Sequence, residues 1–432
     1  MLILSFVYSI CEELRINQKQ FKTKNFKGVL SLLAGNTISK LILSVGGIVL
    51  ANYYGPESYG IYNVFLSYIL ILPVLASMRL DNIMILQKGS KEIRNLFSGI
   101  VVITFFLSCL LVLGIGILKN WNIFPYQLSN FLLLLIGIGS VLTAWNLSQN
   151  NLFTKFRLFK QISTAFVISS LVTVLFQAVF YFIGQIENGL IYGWIIGLAA
   201  SFLYNAAVSK GLLKKIDWTA FRASVKEHQN IVKFTYPSDS LNAIANNLLP
   251  IMVILYFSEA EVGLYAMAFK ILSTPLVLLS SSVSRVYFQK SVSLYHQDKS
   301  ALLSLTQKVI FSNLSIIIAF VLFMNTAGLY LLDLFLNHKW DGMGSFIMAL
   351  SFWIIARSAL NPISPLIMVI NKNHYSLVFN IYLILVNLVS IYIGNLYGNF
   401  LLCVWIFSIF SGLGYLILTL LVTDYLKKQN EV

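Results

Sequence analysis

The sequence predicts an all-α, polytopic membrane protein: about twelve transmembrane helices in two pseudo-symmetric six-helix bundles around a central cavity. Three observations predict it. Apolar runs of about 20 residues, the length that spans a bilayer core, recur from end to end. Only 11% of the 432 residues are charged and 58% are hydrophobic, too little charge for the surface of a soluble domain. A stretch of the first half also returns in the second.

Hydropathy and helix breakers place the spans in order. Their centres fall near Leu41, Leu70, Leu107, Ile136, Val172 and Ile196 in the first half. In the second they fall near Asn246, Thr274, Ile317, Ile354, Leu385 and Trp405. Three segments follow from this: an N-terminal bundle over 25–210, a basic cytoplasmic linker over 211–231 and a C-terminal bundle over 232–432. Residues 1–24 precede them. "MLILSFVYSIC" is apolar but lacks the basic lead and small-residue cleavage site of a signal peptide, so it reads as an in-plane segment or a misassigned start.

Charge placement sets the orientation. Basic residues precede the first span (Lys19, Lys22, Lys24, Lys27) and follow the second (Lys88, Lys91, Arg94) and fourth (Lys155, Arg157, Lys160). Others follow the sixth (Lys210, Lys214, Lys215, Arg222, Lys226, Lys233), the eighth (Lys290, Lys299, Lys308), the tenth (Lys372) and the twelfth (Lys427, Lys428). The alternate connections hold only Lys119 and Lys339, with Glu57, Glu187, Glu259 and Glu261. This positive-inside pattern predicts a multi-pass membrane protein with both termini cytoplasmic. The net charge of +14 is thereby topological; it implies membrane lipids as partners and no nucleic acid. Outward connections such as "GQIENG" and "NLYGN" leave no room for an external domain. The scattered Cys11, Cys109 and Cys403 and the four separated histidines offer no disulfide framework or zinc spacing, and no GxxxxGK stretch is present. No metal or cofactor is expected.

The internal echo pairs "YGPESYGIYNVFLSYILILPVLASMRLDNIMILQK" with "FSEAEVGLYAMAFKILSTPLVLLSSSVSRVYFQK". Gly60 and Tyr62 correspond to Gly263 and Tyr265, Pro73 to Pro275, and Gln87-Lys88 to Gln289-Lys290. Two halves of the same orientation, with substrate held between them, are the expected consequence. Gly189, Gly193 and Gly197 form a small-residue ladder on the sixth span, which helix packing explains.

The candidate functional residues are charges inside predicted spans: Lys40, Arg79, Asp81, Asp239, Lys270 and Arg357. Each costs roughly 2.5–3.5 kcal/mol at mid-membrane even on the gentler scales, so such groups face protein or an aqueous path. Polar neighbours recur at helical spacing: Asn36, Lys40 and Ser44; Asp239, Asn242 and Asn246; Arg357 and Asn361. Pro362 and Pro365 are expected to kink the tenth span, and Pro237, Pro250 and Pro275 to do likewise elsewhere. Arg79 and Asp81 are two residues apart and share no helix face, so they do not neutralise each other locally. Two readings stand for each charge: it lines a functional path, or it pairs with a charge on another helix for packing. Lys40 and Lys270 have a third, snorkelling to the interface. Four cations against two acids point to an anionic ligand, since Arg and Lys supply charge-assisted donors for phosphate.

These residues also carry a resemblance. "LLAGNTISKLILSVGGIVLANYYGPESYGIYNVFLSYILILPVLASMRLDNIMILQK" resembles the opening of the polysaccharide transporter family, most specifically in "YYGPESYGIYNVF" and "SMRLDNIMIL". "FTYPSDSLNAIANNLLPIMVILYFSEAEVGLYAMAFKILSTPLVLLSSSVSRVYFQ" looks like the family's seventh and eighth helices. The resemblance runs from about Asn25 to the C-terminus. The family belongs to the superfamily of multidrug exporters and lipid II flippases.

The resemblance implies a Wzx-type O-antigen or capsule-repeat flippase. Such a protein moves a polyprenyl-pyrophosphate-linked oligosaccharide from the cytoplasmic to the outer leaflet by alternating access, and it is a transporter, not an enzyme. Onto this chain it carries only the idea of a cationic cavity: Arg79, Arg357, Lys40 and Lys270 with Asn36 as the substrate path. Asp81, Asp239, Asn242 and Asn246 are then the field-tuning or coupling set, for a driving proton or sodium ion. Polysaccharide polymerase machinery is the implied protein partner. The competing expectations are a drug–cation antiporter of the same superfamily, which wants a net negative cavity, and a membrane-embedded assembly enzyme or scaffold.

Overall fold

A computed structural model describes residues 24–121, 129–210, 215–336 and 338–430. Residues 1–23, most of the segment read above as in-plane or misassigned, lie outside the described residues. Among the described residues the regular structure is helical, with no strand.

The first half contains α1 (Lys24–Ala51), α2 (Pro56–Ser77), α3 (Leu80–Leu86), α4 (Ser90–Asn120), α5 (Asn130–Lys155), α6 (Phe159–Phe182), α7 (Gly189–Val208) and α8 (Trp218–Glu227). A π-helical turn, Ile231–Thr235, leads into α9 (Tyr236–Val253). There follow α10 (Glu259–Gln297), α11 (Lys299–Phe323), a π turn Met324–Gly328, α12 (Leu329–Leu336) and α13 (Met343–Leu360). The chain closes with α14 (Leu366–Val369), α15 (Asn373–Leu396) and α16 (Phe400–Asn430).

Every expected span centre lies in a helix, and among the described residues 11 helical stretches are long and apolar enough to cross a membrane. The twelfth, α9, has 18 residues but is too polar to join them, because Asp239, Asn242, Asn246 and Asn247 interrupt its apolar sequence. Starts and stops follow local chemistry. Ser129 accepts from the Leu132 amide and Asp298 from Ala301, capping α5 and α11, while Pro56 opens α2 where no amide partner is needed. Pro73, Pro250 and Pro275 lie inside helices, whereas Pro237 sits in the first turn of α9. Pro362 and Pro365 end α13: the chain passes through a short 3₁₀ turn, Asn361–Ile363, before α14.

The described residues form two compact units, which divide between Gly263 and Leu264. The first, Lys19–Gly263, holds α1 to α9 and the first turn of α10. Its α6 and α7 pack through the glycine ladder: a Cβ on Gly193 would lie 2.6 Å from the Gln177 amide nitrogen, and one on Gly197 2.7 Å from the Ser169 carbonyl. Tyr54 donates to the Gln177 carbonyl at 2.7 Å and the Gln177 amide donates to Leu190 at 2.8 Å, so polar groups at this three-helix junction are satisfied. The echoed glycines meet in this unit. Gly263 abuts Pro56 and Gly60 abuts Glu259, a reciprocal contact with one sequence offset, where any Cβ would strike backbone.

The second unit contains Leu264–Val432. There α13 packs on α11 and α16, and α15 on α16. Asn313 donates to the Ser358 carbonyl at 2.6 Å, and the Ser408 hydroxyl accepts from the Trp353 amide at 3.1 Å.

Candidate functional site

The helix of the second span, Pro56–Ser77, ends just before Arg79 and Asp81, which were expected inside the span. At "SMRL" the backbone turns left-handed at two successive non-glycine residues, Met78 (φ 48°, ψ 24°) and Arg79 (φ 54°, ψ 22°). Each such residue costs roughly 1–2 kcal/mol. The cost is offset by what the turn secures. Leu80, Ile83 and Met84 become almost wholly buried against Leu96, Phe97, Ile100, Leu152 and Phe221. Asn82 donates its amide to the Arg79 carbonyl at 3.1 Å, which starts α3. Lys155 on α5 donates to the Ile85 carbonyl at 2.7 Å.

The break sends Arg79 and Asp81 to different partners. Arg79 Nε lies 2.7 Å from Asp239 Oδ2, with the side chains 22% and 32% exposed. Asp81 is fully buried and accepts from Asn151 Nδ2 at 2.6 Å. A cation expected on the substrate path therefore meets an acid expected in the coupling set, across more than 150 residues of sequence. Both side chains are partly exposed, although the contacting Nε itself is buried.

The Asp239 stripe continues along α9. Asn242 and Asn246 are exposed, and Asn246 Nδ2 donates to both the carbonyl and the Oδ1 of Asn242, at 2.8 and 2.7 Å. Ser240, Ala245 and Leu249 of the same helix are buried. On α1, Gly35 packs on Ser163 and Ser39 donates to the Phe166 carbonyl at 3.0 Å. Asn36 and Lys40, each one residue on, sit about 100° further round that helix and are half-buried.

Lys270 and Arg357 belong to the other unit. The Arg357 guanidinium carbon lies 4.8 Å from the Trp353 ring centre and 5.8 Å from that of Tyr415. Phe269, next to Lys270, stacks on Trp353 at 5.3 Å, and Phe379 meets Tyr415 edge-on at 4.8 Å. These rings are a cation–π cradle, which favours the charge without consuming its in-plane N–H donors. Lys270 is half-buried and its carbonyl accepts from Thr274 at 2.7 Å.

Sequence reasoning missed four of these features. Trp353 stands four residues before Arg357 on one helix face, a spacing that was readable. Tyr415 and Asn151 gave no local signal. The double left-handed turn lacked the glycine or asparagine that marks such positions. Among the described residues no group of His, Cys, Asp and Glu is placed to hold a metal ion.

Comparison with known proteins places this geometry. The chain is similar to the lipid II flippase MurJ in its inward closed conformation, with a TM-score of 0.70, 15% identity, 91% of this chain covered and 87% of that chain. It is similar to an inward-facing multidrug resistance MATE transporter of the MOP superfamily, at TM-score 0.63, 14% identity, and coverage of 91% of this chain and 98% of that one. A MOP superfamily transporter from Pyrococcus furiosus, described as having a binding pocket of reverse polarity, aligns at TM-score 0.55 and 14% identity over 95% of this chain and 96% of its own. At such identities the likeness is one of fold: the chain has the MOP-type helical architecture. No curated protein matches the sequence. A family profile does, over residues 49–345, and by that match the chain belongs to the polysaccharide biosynthesis protein family.

Proposed function

We propose that this protein is a flippase for a polyprenyl-pyrophosphate-linked oligosaccharide repeat unit, moving it from the cytoplasmic to the outer leaflet during synthesis of a surface polysaccharide such as O-antigen or capsule. The observation that carries the reading is the partly exposed Arg79–Asp239 pair at the broken second span. Family membership and the MOP-type fold support it.

The pair works by anion exchange. In the resting state Asp239 neutralises Arg79, so no cation is stranded in a poorly solvated place. An entering pyrophosphate displaces the carboxylate and takes its place beside the guanidinium, whose planar fork it matches with charge-assisted hydrogen bonds. Asp239, released, takes up a proton or sodium ion, which couples substrate entry to an ion gradient. Lys40 and Asn36 extend the polar path on the same unit. Arg357, held over Trp353 and Tyr415, and Lys270 supply the second set of cations. Asp81 holds the break in shape through Asn151. The lipid tail stays in the bilayer, alternating access moves the headgroup, and no covalent step is required. The site then faces the cytoplasmic side of a bacterial inner membrane in the loading state, and the product passes to polymerase machinery outside.

The test is the sidedness of lipid-linked oligosaccharide in cells with and without the gene, read by an external glycosidase or lectin. Complete repeat units trapped inside on deletion support the reading. Unchanged amounts and sidedness, with no second copy of the activity, reject it in favour of a drug–cation antiporter or an assembly scaffold.

A further inference from the structure

The interval between the sixth and seventh spans contains α8, an amphipathic helix docked against α3 and α4. Asp217 caps it, accepting from the amides of Thr219 and Ala220. Its start is pinned by Asn95, which donates to the Asp217 carbonyl at 2.9 Å and accepts from the Asp217 amide at 2.8 Å. Its end is pinned by Gln87, which bonds Ser224 and His228, each at 3.2 Å. Phe221 reaches the α4 backbone because residue 99 is glycine; a Cβ there would lie 2.5 Å from the ring.

This docking leaves a groove of about 360 Å³ beside the helix. That volume is at the low end for a small-ligand site, roughly 300–1,000 Å³. Met78, Leu80, Ile103, Val225 and Val232 make its apolar lining. Arg222, Lys226 and Lys233 also line it, and no carboxylate does. Two large side chains near its ends, Trp218 and Phe234, are 45% and 70% exposed. An apolar slot edged by cations and flanked by an exposed indole is the chemistry of the membrane interface.

We propose that the groove between α8 and the Met78–Leu80 turn is a binding site for an anionic phospholipid of the surrounding membrane. One acyl chain enters the apolar slot and the headgroup phosphate lies across Arg222, Lys226 and Lys233. The chain end meets Met78 and Leu80, the residues on either side of Arg79, so the lipid braces the left-handed turn from behind. A free phosphate finds no reason for the apolar lining, and a zwitterionic lipid none for three unopposed cations.

Full-length protein, stripped of lipid in detergent, is mixed with equal amounts of phosphatidylglycerol and phosphatidylcholine, and retained lipid is counted by native mass spectrometry. Each surface cation contributes roughly fivefold toward an anionic headgroup. The expected result is one phosphatidylglycerol held at least tenfold over phosphatidylcholine. That preference collapses in Arg222→Gln/Lys226→Gln/Lys233→Gln, and Val225→Trp, which fills the slot, lowers retention of both lipids. Melting temperature in phosphatidylcholine alone checks that the variants fold. Equal retention of the two lipids, or wild-type retention in the triple variant or in Val225→Trp, overturns the proposal. So does displacement of the phosphatidylglycerol by polyprenyl phosphate at equal concentration, which assigns the groove to the substrate's tail. No oligosaccharide is present, so the outcome is independent of the flippase reading.

Discussion

Two arginines at helix ends are held in opposite ways. Arg79 sits on a strained turn and is neutralised by a carboxylate at 2.7 Å. Arg357 sits in the last turn of a regular helix and is favoured by two aromatic faces. The first holds its charge with a partner that, in the proposed cycle, an incoming anion replaces. The second keeps its charge with its in-plane donors uncommitted by the rings. A fully paired cation cannot bind an anion and a fully bare one is too costly to bury; each arginine, within its own unit, avoids both extremes.

Substitutions can break this comparison. The largest effect is expected for Arg79→Ala, which removes the anion's partner and leaves Asp239 unpaired; transport falls by at least roughly 100-fold, the loss of a bidentate charge-assisted contact. Arg79→Lys restores charge without the planar fork and recovers only part of that loss in the same assay. Gly263→Val follows. It forces the first turn of α10 off the Pro56 backbone, and purified protein is expected to melt earlier, by an amount typical of overpacking, about 1–3 kcal/mol.

The cradle sharpens the contrast. Trp353→Leu removes the better of the two π faces from Arg357, worth roughly 0.5–2 kcal/mol, or about 2- to 30-fold in transport. Cells carrying it are expected to show weaker transport with normal protein levels, and a double variant with Arg357→Ala is expected to be no worse than Arg357→Ala alone.

The strained turn makes a smaller and more unusual prediction. Met78→Gly and Met78→Ala remove similar packing, but only glycine relieves a φ of 48°. The glycine variant is expected to melt higher than the alanine variant, by about 1 kcal/mol, the reverse of their order within a helix. Finally, the α8 cap titrates. Hydrogen bonds from Thr219 and Ala220 hold the Asp217 carboxyl below its ordinary value. The contribution is present above the usual carboxylate range and is lost as pH falls through the lowered value. Amide exchange at Thr219 and Ala220 should therefore quicken, relative to a neighbouring helix, only at pH below about 4, and Asp217→Ala should show the fast rate throughout.

The helices were readable because apolar runs interrupted by Gly, Pro and charge leave little choice in a bilayer. The intramembrane charges were readable for the same reason, being expensive where they stand. The pairing of Arg79 with Asp239 was not, since it joins the second span to the seventh. Nor was the turn that permits it: "ASMRLDN" holds no glycine or proline, and burial of Leu80, Ile83 and Met84 overrides local preference. The spacing of Asp239, Asn242 and Asn246 did foretell one polar stripe. It did not foretell that the stripe makes α9 too polar to qualify as an apolar span. Basic residues between the sixth and seventh spans read only as topology. The alternation of Trp218, Phe221 and Val225 with Arg222 and Lys226 marks the amphipathic helix that was there.

The central claim is that Arg79 receives the pyrophosphate as Asp239 lets it go. It is tested most directly by the leaflet distribution of lipid-linked oligosaccharide in cells whose only copy carries Arg79→Ala or Asp239→Asn at wild-type protein levels. The account predicts repeat units trapped inside with Arg79→Ala, and with Asp239→Asn a transport that still proceeds but no longer responds to collapse of the ion gradient. Normal outward display with Arg79→Ala contradicts it.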